Sequence, residues 1–253
     1  MNAMKKLLGC IRKADRDYRL IDNHDRIAVG VSGGKDSMLL LYCLHLYRQF
    51  CQRLNTKTFE VVGIHVEMGF PDMDFTLARQ FFEEKGIEFH EEPSRIYDIL
   101  KIQAAENGAL PCSLCSTLKK GAVNEAAKKY GCTKVCFAHH ADDAVETLLM
   151  NAINGGRIAT FAPKMFMSNA QIAFIRPFVY ARESQLRAAV EECGIPVVAS
   201  TCPMDGHTQR QEMKDMLEDL YRKYPMARDN FLLMLHNEKQ IRLWHEEKDD
   251  ENA

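Results

Sequence analysis

The stretch that decides the fold is a short apolar run followed at once by a glycine turn, and it reads Ile27-Ala28-Val29-Gly30-Val31-Ser32-Gly33-Gly34-Lys35-Asp36-Ser37. The run has the length and apolar content of a strand that is buried on both faces. A helical pattern then runs from about Asp36 to Arg48. A strand, a glycine turn and a helix in this order are typical of an open α/β sheet that binds its ligand beyond the strand ends.

The hexapeptide Ser32 to Ser37, called the phosphate loop below, predicts an anion site. Its two glycines allow a tight turn with N–H groups close to an anion, and the helix N-terminus adds its positive end. Lys35 would offset phosphate charge, and Asp36 offers a carboxylate for a bridging Mg²⁺. The hexapeptide is not the G-x-x-x-x-G-K-[ST] loop, so γ-phosphate transfer is not implied.

The rest of the chain repeats the alternation of strand and helix. Further strands are predicted at Phe59–Val66, Ile87–His90, Lys134–Ala138, Ile172–Ile175 and Pro196–Ala199. Helices are predicted at Asp74–Lys85, after Pro111 to Tyr130, at Asp142–Asn154 and Arg182–Cys193, and in a tail at Thr208–Tyr224 and Asn230–Trp244. We therefore predict a Rossmann-like open parallel sheet with helices on both faces and a helical C-terminal tail.

Composition narrows the class of protein. The 253 residues are 46% hydrophobic, which excludes disorder as the dominant state, and no stretch has the pattern of a signal peptide or a membrane span. Nine cysteines without a secretory signal favour thiols and metal ligands in a reducing, cytoplasmic setting.

Charge narrows the way in which nucleic acid could be bound. The net charge of −2 excludes a globally basic nucleic-acid binder, so an RNA partner would have to bind local patches. Residues 5–19 form one such candidate, in which Lys5, Lys6, Arg12, Lys13, Arg16 and Arg19 outnumber Asp15 and Asp17. A solvated amphipathic helix explains this stretch equally well.

A second polar stretch follows the strand predicted at Lys134–Ala138. The segment His139-His140-Ala141-Asp142-Asp143 ends that strand and opens the next helix, so its side chains should lie at the same rim as the phosphate loop. The alternative is that Asp142 only caps its helix and that the histidines are loop residues.

Three cysteines are candidates for a metal centre. Cys112 and Cys115 open a helix as a C-x-x-C pair, and Cys202 follows the last predicted strand at the same rim of the sheet. Three thiolates also suit zinc with His207 or His139 as the fourth ligand, so the metal stays open at this point. The other six are predicted to be small core residues; they are Cys10, Cys43, Cys51, Cys132, Cys136 and Cys193.

The phosphate loop resembles the PP-loop of N-type ATP pyrophosphatases, which cleave ATP between the α and β phosphates and transfer AMP to an oxygen. His139 to Thr147 is similar to the G-H-x-x-D-D-x-x-E-T stretch of the tRNA-modifying branch, with Ala138 in place of the glycine. From this resemblance we expect ATP to bind at Ser32, Gly33, Gly34, Lys35, Asp36, Ser37 and His139, with its adenine near Ile64, His65 and Val66. Mg²⁺ would lie on Asp36 and one of Asp142 or Asp143, and the expected catalytic residues are Asp36, Lys119, Asp142 and Asp143.

The cysteine triad resembles that of the tRNA 2-thiocytidine synthetase (TtcA) family, and the similarity spans roughly residues 20 to 245. Further matching segments are Leu118–Gly121, Gly155–Arg157, Ile175–Pro177, Gln209–Gln211, Lys214–Leu217 and Arg222–Pro225. The resemblance implies that Cys112, Cys115 and Cys202 hold a [4Fe-4S] cluster with one iron free of protein ligand. Many family members carry a further cysteine three residues after the third ligand, where this chain has Asp205.

The resemblance also implies a reaction and its partners. The O2 oxygen of a cytidine in a tRNA anticodon loop would be adenylated, and sulfide bound at the cluster would then replace it. RNA-binding candidates are Arg157, Lys164, Arg176, Arg210, Arg222 and Lys223. The sequence leaves open the sulfur donor, a cysteine desulfurase or free sulfide, and the oligomeric state, with a homodimer among the options.

Three parts of the chain are expected: a basic helical segment at 1–22, the PP-loop ATP pyrophosphatase domain at 23–205 and a helical extension at 206–253. Two alternatives to thiolation remain. One is an ATP pyrophosphatase of the lysidine-synthetase type with a structural zinc, and the other is a non-catalytic nucleotide-binding or RNA-binding module.

Overall fold

The computed structural model describes residues 2–105, 108–168, 170–204, 209–241 and 243. Over these ranges the elements in chain order are α1 (Ala3–Tyr18), β1 (Arg26–Gly30), α2 (Lys35–Arg53), β2 (Glu60–Glu67), α3 (Thr76–Glu84), β3 (Glu88–Pro93), α4 (Ile96–Ile102), α5 (Cys112–Lys129), β4 (Lys134–Cys136), α6 (Ala141–Gly155), β5 (Lys164–Met167), β6 (Ile172–Ile175), α7 (Glu183–Cys193), α8 (Gln209–Lys223), α9 (Ala227–Met234) and a short 3₁₀ turn (Glu238–Gln240).

The strands form one sheet in the order β3-β2-β1-β4-β6-β5. All neighbours are parallel except β5, which runs antiparallel to β6 at the edge. The predicted open α/β fold is therefore confirmed. The order reverses between β1 and β4, which is the switch point where such sheets bind ligands.

Both faces of the sheet are covered. Ile27 and Val29 of β1 pack into a core with α1, α2 and α7. Ala28, between them, points to the opposite core beside Val62 and Val135, its partners in the neighbouring strands. Because side chains alternate across a strand, burial on both faces requires a continuous apolar run. For this reason β1 can be predicted from the sequence.

Helix α1 belongs to the first of these cores. Its N-cap Asn2 accepts a hydrogen bond from the Lys5 N–H at 3.1 Å, and Leu7 and Ile11 are completely buried against α2 and α7. The apolar positions recur at helical spacing, so burial of this stripe stabilises the helix. The division of the chain into three parts stays a prediction, and its boundary at 205/206 lies outside the described residues.

The C-terminal helices pack on α6. Val145 of α6 is buried with Met213, Leu217 and Tyr221 of α8, and Phe231 of α9 lies against the same cluster. Helix α9 ends at Met234, so the helix predicted for Asn230–Trp244 is wrong in its extent. Among the described residues, none beyond Leu235 joins this apolar cluster, so a longer helix would gain no burial from residues 236–241 there.

Three further details differ from the predictions. The strand predicted at Pro196–Ala199 is an irregular segment, because Pro196 lacks an N–H group and Val198 donates its own to the Gly33 carbonyl at 3.0 Å. The edge strand β5 and the short helix α4 are additional elements, since both are too short for a clear period.

Cys43, Cys51, Cys132 and Cys136 are buried, as predicted. Across the described ranges, none of the helices is both long enough and apolar enough to span a bilayer.

Candidate active site

A cavity of about 280 Å³, called the central cavity below, opens at the carboxyl ends of β1 and β4. Its walls come from the phosphate loop, the end of β2, helix α5 and the connection from β4 to α6. The lining residues are Gly30, Val31, Ser32, Gly34, Asp36, Ser37, Val66, Ser116, Lys119, Lys120, Val123, Phe137, Ala138, His139 and Asp143. The sequence motifs separated along the chain therefore meet at the switch point of the sheet.

The phosphate loop is held in shape by its own side chains. Ser37 Oγ accepts the Ser32 N–H at 3.1 Å and donates to the Gly34 carbonyl at 3.0 Å. Gly33 has a φ of +87°, and a Cβ there would lie 2.8 Å from both Phe75 and Val198. Gly34 is the N-cap of α2 and has no side chain to cap it, so the N–H groups of the first turn are left for an anion.

Asp36 presents an unpaired oxygen at this cavity. Its Oδ2 lies 2.9 Å from Lys35 Nζ, whereas its buried Oδ1 has no hydrogen-bond partner among the described residues. A buried carboxylate oxygen without a partner is costly, and a cation bound beside it would remove that cost. The site therefore fits a Mg²⁺ ion that accompanies a nucleotide phosphate.

Lys35 is directed away from the central cavity. Its Nζ also lies 3.2 Å from Glu183 Oε1 at the start of α7. Burial works against the charged form, but Asp36 and Glu183 outweigh it and raise the pKa of Lys35. The predicted phosphate contact of this side chain would require it to leave both carboxylates.

The two acids that open α6 have different surroundings. Asp143 lines the central cavity; its Oδ2 accepts the His140 N–H at 2.8 Å and its Oδ1 lies 3.5 Å from Arg210. Asp142 points elsewhere: Oδ2 accepts the Glu183 N–H at 2.7 Å and Oδ1 lies 3.4 Å from Arg182 Nη1. The geometry favours Asp143 as the partner of Asp36, and the expected catalytic role of Asp142 finds no support in it.

His139 contributes a neutral ring to the cavity wall. The ring lies between those of Phe137 and Phe161, with centroid distances of 6.1 and 5.1 Å. Its Nδ1 is buried and has no partner within the described chain. Burial lowers the pKa of His139 to about 4, so the imidazole is uncharged near neutral pH and can accept or donate a hydrogen bond.

Helix α5 supplies a partly buried cation. Ser116, Lys119, Lys120 and Val123 line the cavity at helical spacing, so one face of the helix forms its wall. Burial lowers the pKa of Lys119, and the nearby Cys115 and Cys202 partly oppose this effect. A desolvated ammonium group attracts phosphate and thiolate more strongly than an exposed one does.

The structure brings the three candidate cysteines into one neighbourhood. Cys112 is exposed and Cys115 is partly buried, both on the first turn of α5. Burial raises the pKa of Cys115, Lys119 lowers it, and Cys202 and Cys112 raise it further, so their charges lie within interaction range. Cys202 follows the segment whose Val198 N–H donates to the phosphate loop, which ties this cysteine to the edge of the central cavity.

The spacing of the candidate thiols bears on the choice between one metal ion and a cluster. Within the described residues no three His, Cys, Asp or Glu side chains are gathered closely enough for a single ion, which with thiolate ligands at about 2.3 Å would need sulfurs about 3.8 Å apart. Cysteines on an iron–sulfur cluster each bind a different iron and stand farther apart. The assignment of Cys112, Cys115 and Cys202 as cluster ligands stays a prediction. His207, the alternative fourth ligand for zinc, lies outside the described residues.

Of the three residues predicted near adenine, Val66 alone lines the central cavity. Ile64 is fully buried in the core beneath it. His65 points to the other face of the strand, where its ring stacks on Phe75 with 3.6 Å between centroids and its Nδ1 lies 2.9 Å from the Val31 carbonyl. Alternation along β2 separates these side chains.

Three of the six predicted RNA contacts are engaged within the protein. Arg176 is buried, donates to the Ala162 carbonyl at 2.6 Å and stacks on Phe161. Lys164 donates to a backbone carbonyl at the end of α1. Arg210 of α8 pairs with Asp143 and with Glu146, the latter at 3.2 Å. Arg210 therefore belongs to the acidic side of the central cavity.

The other three candidates are exposed. Arg222 pairs with Asp219 on the same helix, Lys223 lies over the Tyr224 ring, and Arg157 follows α6. Exposure permits an RNA contact but does not identify one, since surface cations are usually solvated.

Several residues at the site were not among the predicted site residues. Ser116 and Lys120 follow from the helical period that contains Lys119, so that signal was present in the sequence. Glu183, which binds Lys35, carries no sequence signal because the fold alone brings α7 to the phosphate loop.

The chain is similar to known proteins over most of its length. A family described as a PP-loop domain matches residues 117–217. A tRNA-cytidine(32) 2-sulfurtransferase from Geobacter metallireducens (strain ATCC 53774 / DSM 7210 / GS-15) is 36% identical over 235 residues, which are 92% of this chain and 90% of the relative. The protein of the same name from Citrifermentans bemidjiense is 34% identical over 237 residues, covering 93% and 91% of the two chains.

A solved structure has the same fold. The U34-tRNA thiolase NcsA from Methanococcus maripaludis, solved with its [4Fe-4S] cluster, superposes with a TM-score of 0.72 over 95% of this chain and 80% of that one. The sequence identity of 22% limits this likeness to the fold.

Proposed function

This chain belongs to the tRNA-cytidine(32) 2-sulfurtransferase family, and from that premise we propose that it uses ATP to replace the O2 oxygen of a tRNA cytidine with sulfur. The target carried over from the relatives' names is cytidine 32. The proposal rests on one cavity that contains both the unpaired Asp36 Oδ1 and the partly buried Lys119, with Cys115 and Cys202 within electrostatic range of that lysine.

The first step is adenylation of the base. ATP lies with its phosphates on the phosphate loop, and Asp36 and Asp143 would hold the Mg²⁺ that neutralises phosphate charge. The cytidine O2 attacks the α-phosphorus, the bond to the bridging oxygen breaks and pyrophosphate leaves. Lys119 stabilises the charge that develops on the phosphate oxygens, which in a desolvated site is the largest contribution to such a step.

The second step exchanges oxygen for sulfur. Sulfide attacks C2, the bond from C2 to the adenylated oxygen breaks and AMP leaves, with no net oxidation or reduction. Cys112, Cys115 and Cys202 would hold the [4Fe-4S] cluster, which when bound supplies an open iron position for the incoming sulfur. Lys119 lines the same cavity as the phosphate loop and is within electrostatic range of Cys115, so one cation could serve both halves of the reaction.

Partners and setting follow from this chemistry. A cysteine desulfurase or free sulfide is the proposed sulfur donor, and a homodimer is among the assemblies open to the chain. The base has to leave its stack to reach the cavity, which an anticodon loop permits. Free thiols favour the reducing cytoplasm.

Pyrophosphate release from ATP with bulk tRNA tests the first step. Anaerobically purified protein should release it, and Asp36→Ala should not, because the phosphate-bound Mg²⁺ loses its ligand. Asp98→Ala is the matched control, since that aspartate is exposed on α4. Release that is unchanged by Asp36→Ala would refute the assignment of the loop.

Metal content and product test the second step. Iron and acid-labile sulfide, together with a 2-thiocytidine nucleoside detected by mass spectrometry, support thiolation. Colourless protein with one zinc and an amine-modified base would support a lysidine-type enzyme instead. Nucleotide binding without pyrophosphate release would indicate a non-catalytic module.

A further inference from the structure

A second, larger cavity lies outside the proposed reaction. It is a groove of about 780 Å³, called the α1 groove below, between α1, α2 and the start of α7. The residues that line it are Lys5, Lys6, Leu8, Gly9, Cys10, Arg12, Lys13, Tyr47, Phe50 and Gln185.

The α1 groove is positively charged. Four of its ten lining residues are cations and none is acidic, although the whole chain has 35 acidic and 33 basic residues. In the described part of the chain no acidic side chain pairs with Lys5, Lys6 or Arg12, and only Lys13 pairs with Asp17, at 2.6 Å. An anionic partner therefore meets cations that need give up no ion pair of their own.

The cations are spaced for an extended polyanion. Lys5 and Arg12 are seven residues apart in one helix, which places them about 10 Å apart along its axis. Their flexible stems widen that reach. Two positive ends at this distance can contact different phosphates of one strand, while Tyr47 and Phe50 supply an aromatic floor between α1 and α2.

Gly9 of α1 lines the α1 groove. It lies inside α1, where glycine is a poor helix former, and a Cβ added there would meet nothing within 4 Å. Packing therefore does not explain this glycine. A missing side chain in the floor of a groove lets a ligand approach the helix backbone closely.

The groove is close to the reaction site. Gln185, at one end of the groove, lies on the first turn of α7. On that same turn Glu183 contacts Lys35 of the phosphate loop at 3.2 Å. One turn of helix thus separates the α1 groove from the edge of the phosphate loop.

We propose that the α1 groove binds the sugar–phosphate backbone of the tRNA substrate and so positions the target base at the central cavity. This inference rests on the proposed function, because that function supplies the RNA. It also separates α1 from an ordinary solvated helix, which would need no groove.

The test measures binding of bulk tRNA to the full-length protein by fluorescence anisotropy over a range of salt concentrations. The double variant Lys5→Gln/Arg12→Gln should reduce the slope of log affinity against log salt by about 1.4 to 1.8, because each lost phosphate contact removes about 0.7 to 0.9. At 0.1 M salt this corresponds to a weakening on the order of 30-fold. Lys85→Gln/Lys128→Gln removes two charges from exposed sites on α3 and α5 and should change neither value.

A second variant leaves the charge unchanged. Gly9→Gln fills the groove floor and should weaken tRNA binding at least fivefold, while the melting temperature stays the same or rises because glutamine favours a helix. Gly121→Gln, at another helix-interior glycine with nothing within 4 Å, gives the size of the melting-temperature effect alone.

Three results would overturn the inference. If the groove variants bind tRNA like the parent protein while tRNA is still thiolated, the groove proposal fails and the proposed function stands. If they change the molecular mass in light scattering without changing tRNA affinity, a second copy of the chain occupies the groove. If the parent protein binds no tRNA, the inference and the proposed function fail together.

Discussion

Burial of His139 in the wall of the central cavity implies a measurable loss of stability in acid. The pKa of this histidine is lowered from 6.5 to about 4 by burial. Between these two values the unfolded chain binds a proton that the native chain does not, so the free energy of unfolding falls as pH falls. The contribution is present above pH 6.5 and is lost progressively down to about pH 4. Linkage of the two pKa values gives a loss of about 2 kcal/mol from pH 7 to pH 5 and about 3 kcal/mol by pH 4.

Urea unfolding followed by circular dichroism at pH 7, 6, 5 and 4 measures this loss. His139→Gln removes the titrating group, so the variant should lose about 2 kcal/mol less than the parent protein between pH 7 and pH 5. Other buried histidines titrate in both proteins and cancel in the difference. His90→Gln is the control, because His90 is half-buried beside Glu88 and lies away from the cavity.

The outcome that refutes the reasoning is equal acid sensitivity of the parent protein and His139→Gln. Such a result would mean that the ring binds its proton in the native state as readily as in the unfolded chain. The proposed neutral form of His139 in the cavity would then be wrong.

Four further substitutions test the same site. Gly33→Ala should lower the free energy of unfolding by about 1–3 kcal/mol in thermal melts and should abolish nucleotide binding, because the residue has a φ of +87° and a Cβ would lie 2.8 Å from Val198. Asp143→Asn should weaken Mg·ATP binding at least tenfold in titration calorimetry at nearly unchanged stability, whereas Asp142→Asn should cost about 1–3 kcal/mol of stability and keep that affinity; the opposite pattern would exchange their roles. Cys202→Ser should lose iron and acid-labile sulfide after anaerobic purification while ATP affinity is retained, and full cluster content would exclude Cys202 as a ligand.

Local patterns identified most of the elements that position the site. The phosphate loop, β1 and α2 could be predicted from the sequence, because a strand buried on both faces must be apolar throughout and because the turn needs glycine. Helix α5 could be predicted as the helical segment that follows Pro111 and ends at Tyr130-Gly131. The irregular segment around Val198 could not be predicted as such, because its backbone hydrogen-bonds to the phosphate loop and not to a neighbouring strand.

The sequence by itself determined the residue types that can bind phosphate, a divalent cation and a metal cluster, since those depend on chemistry and local spacing. Only the tertiary structure decided which of them share one cavity. Asp142 and Asp143 are neighbours in the chain, yet the first turn of α6 directs Asp142 toward α7 and Asp143 toward the central cavity. Lys35 and Lys119 are likewise both candidates by type, but α7 brings Glu183 to the first and α5 places the second in the wall of the central cavity. Direction in space depends on how distant elements pack, and local sequence does not encode that packing.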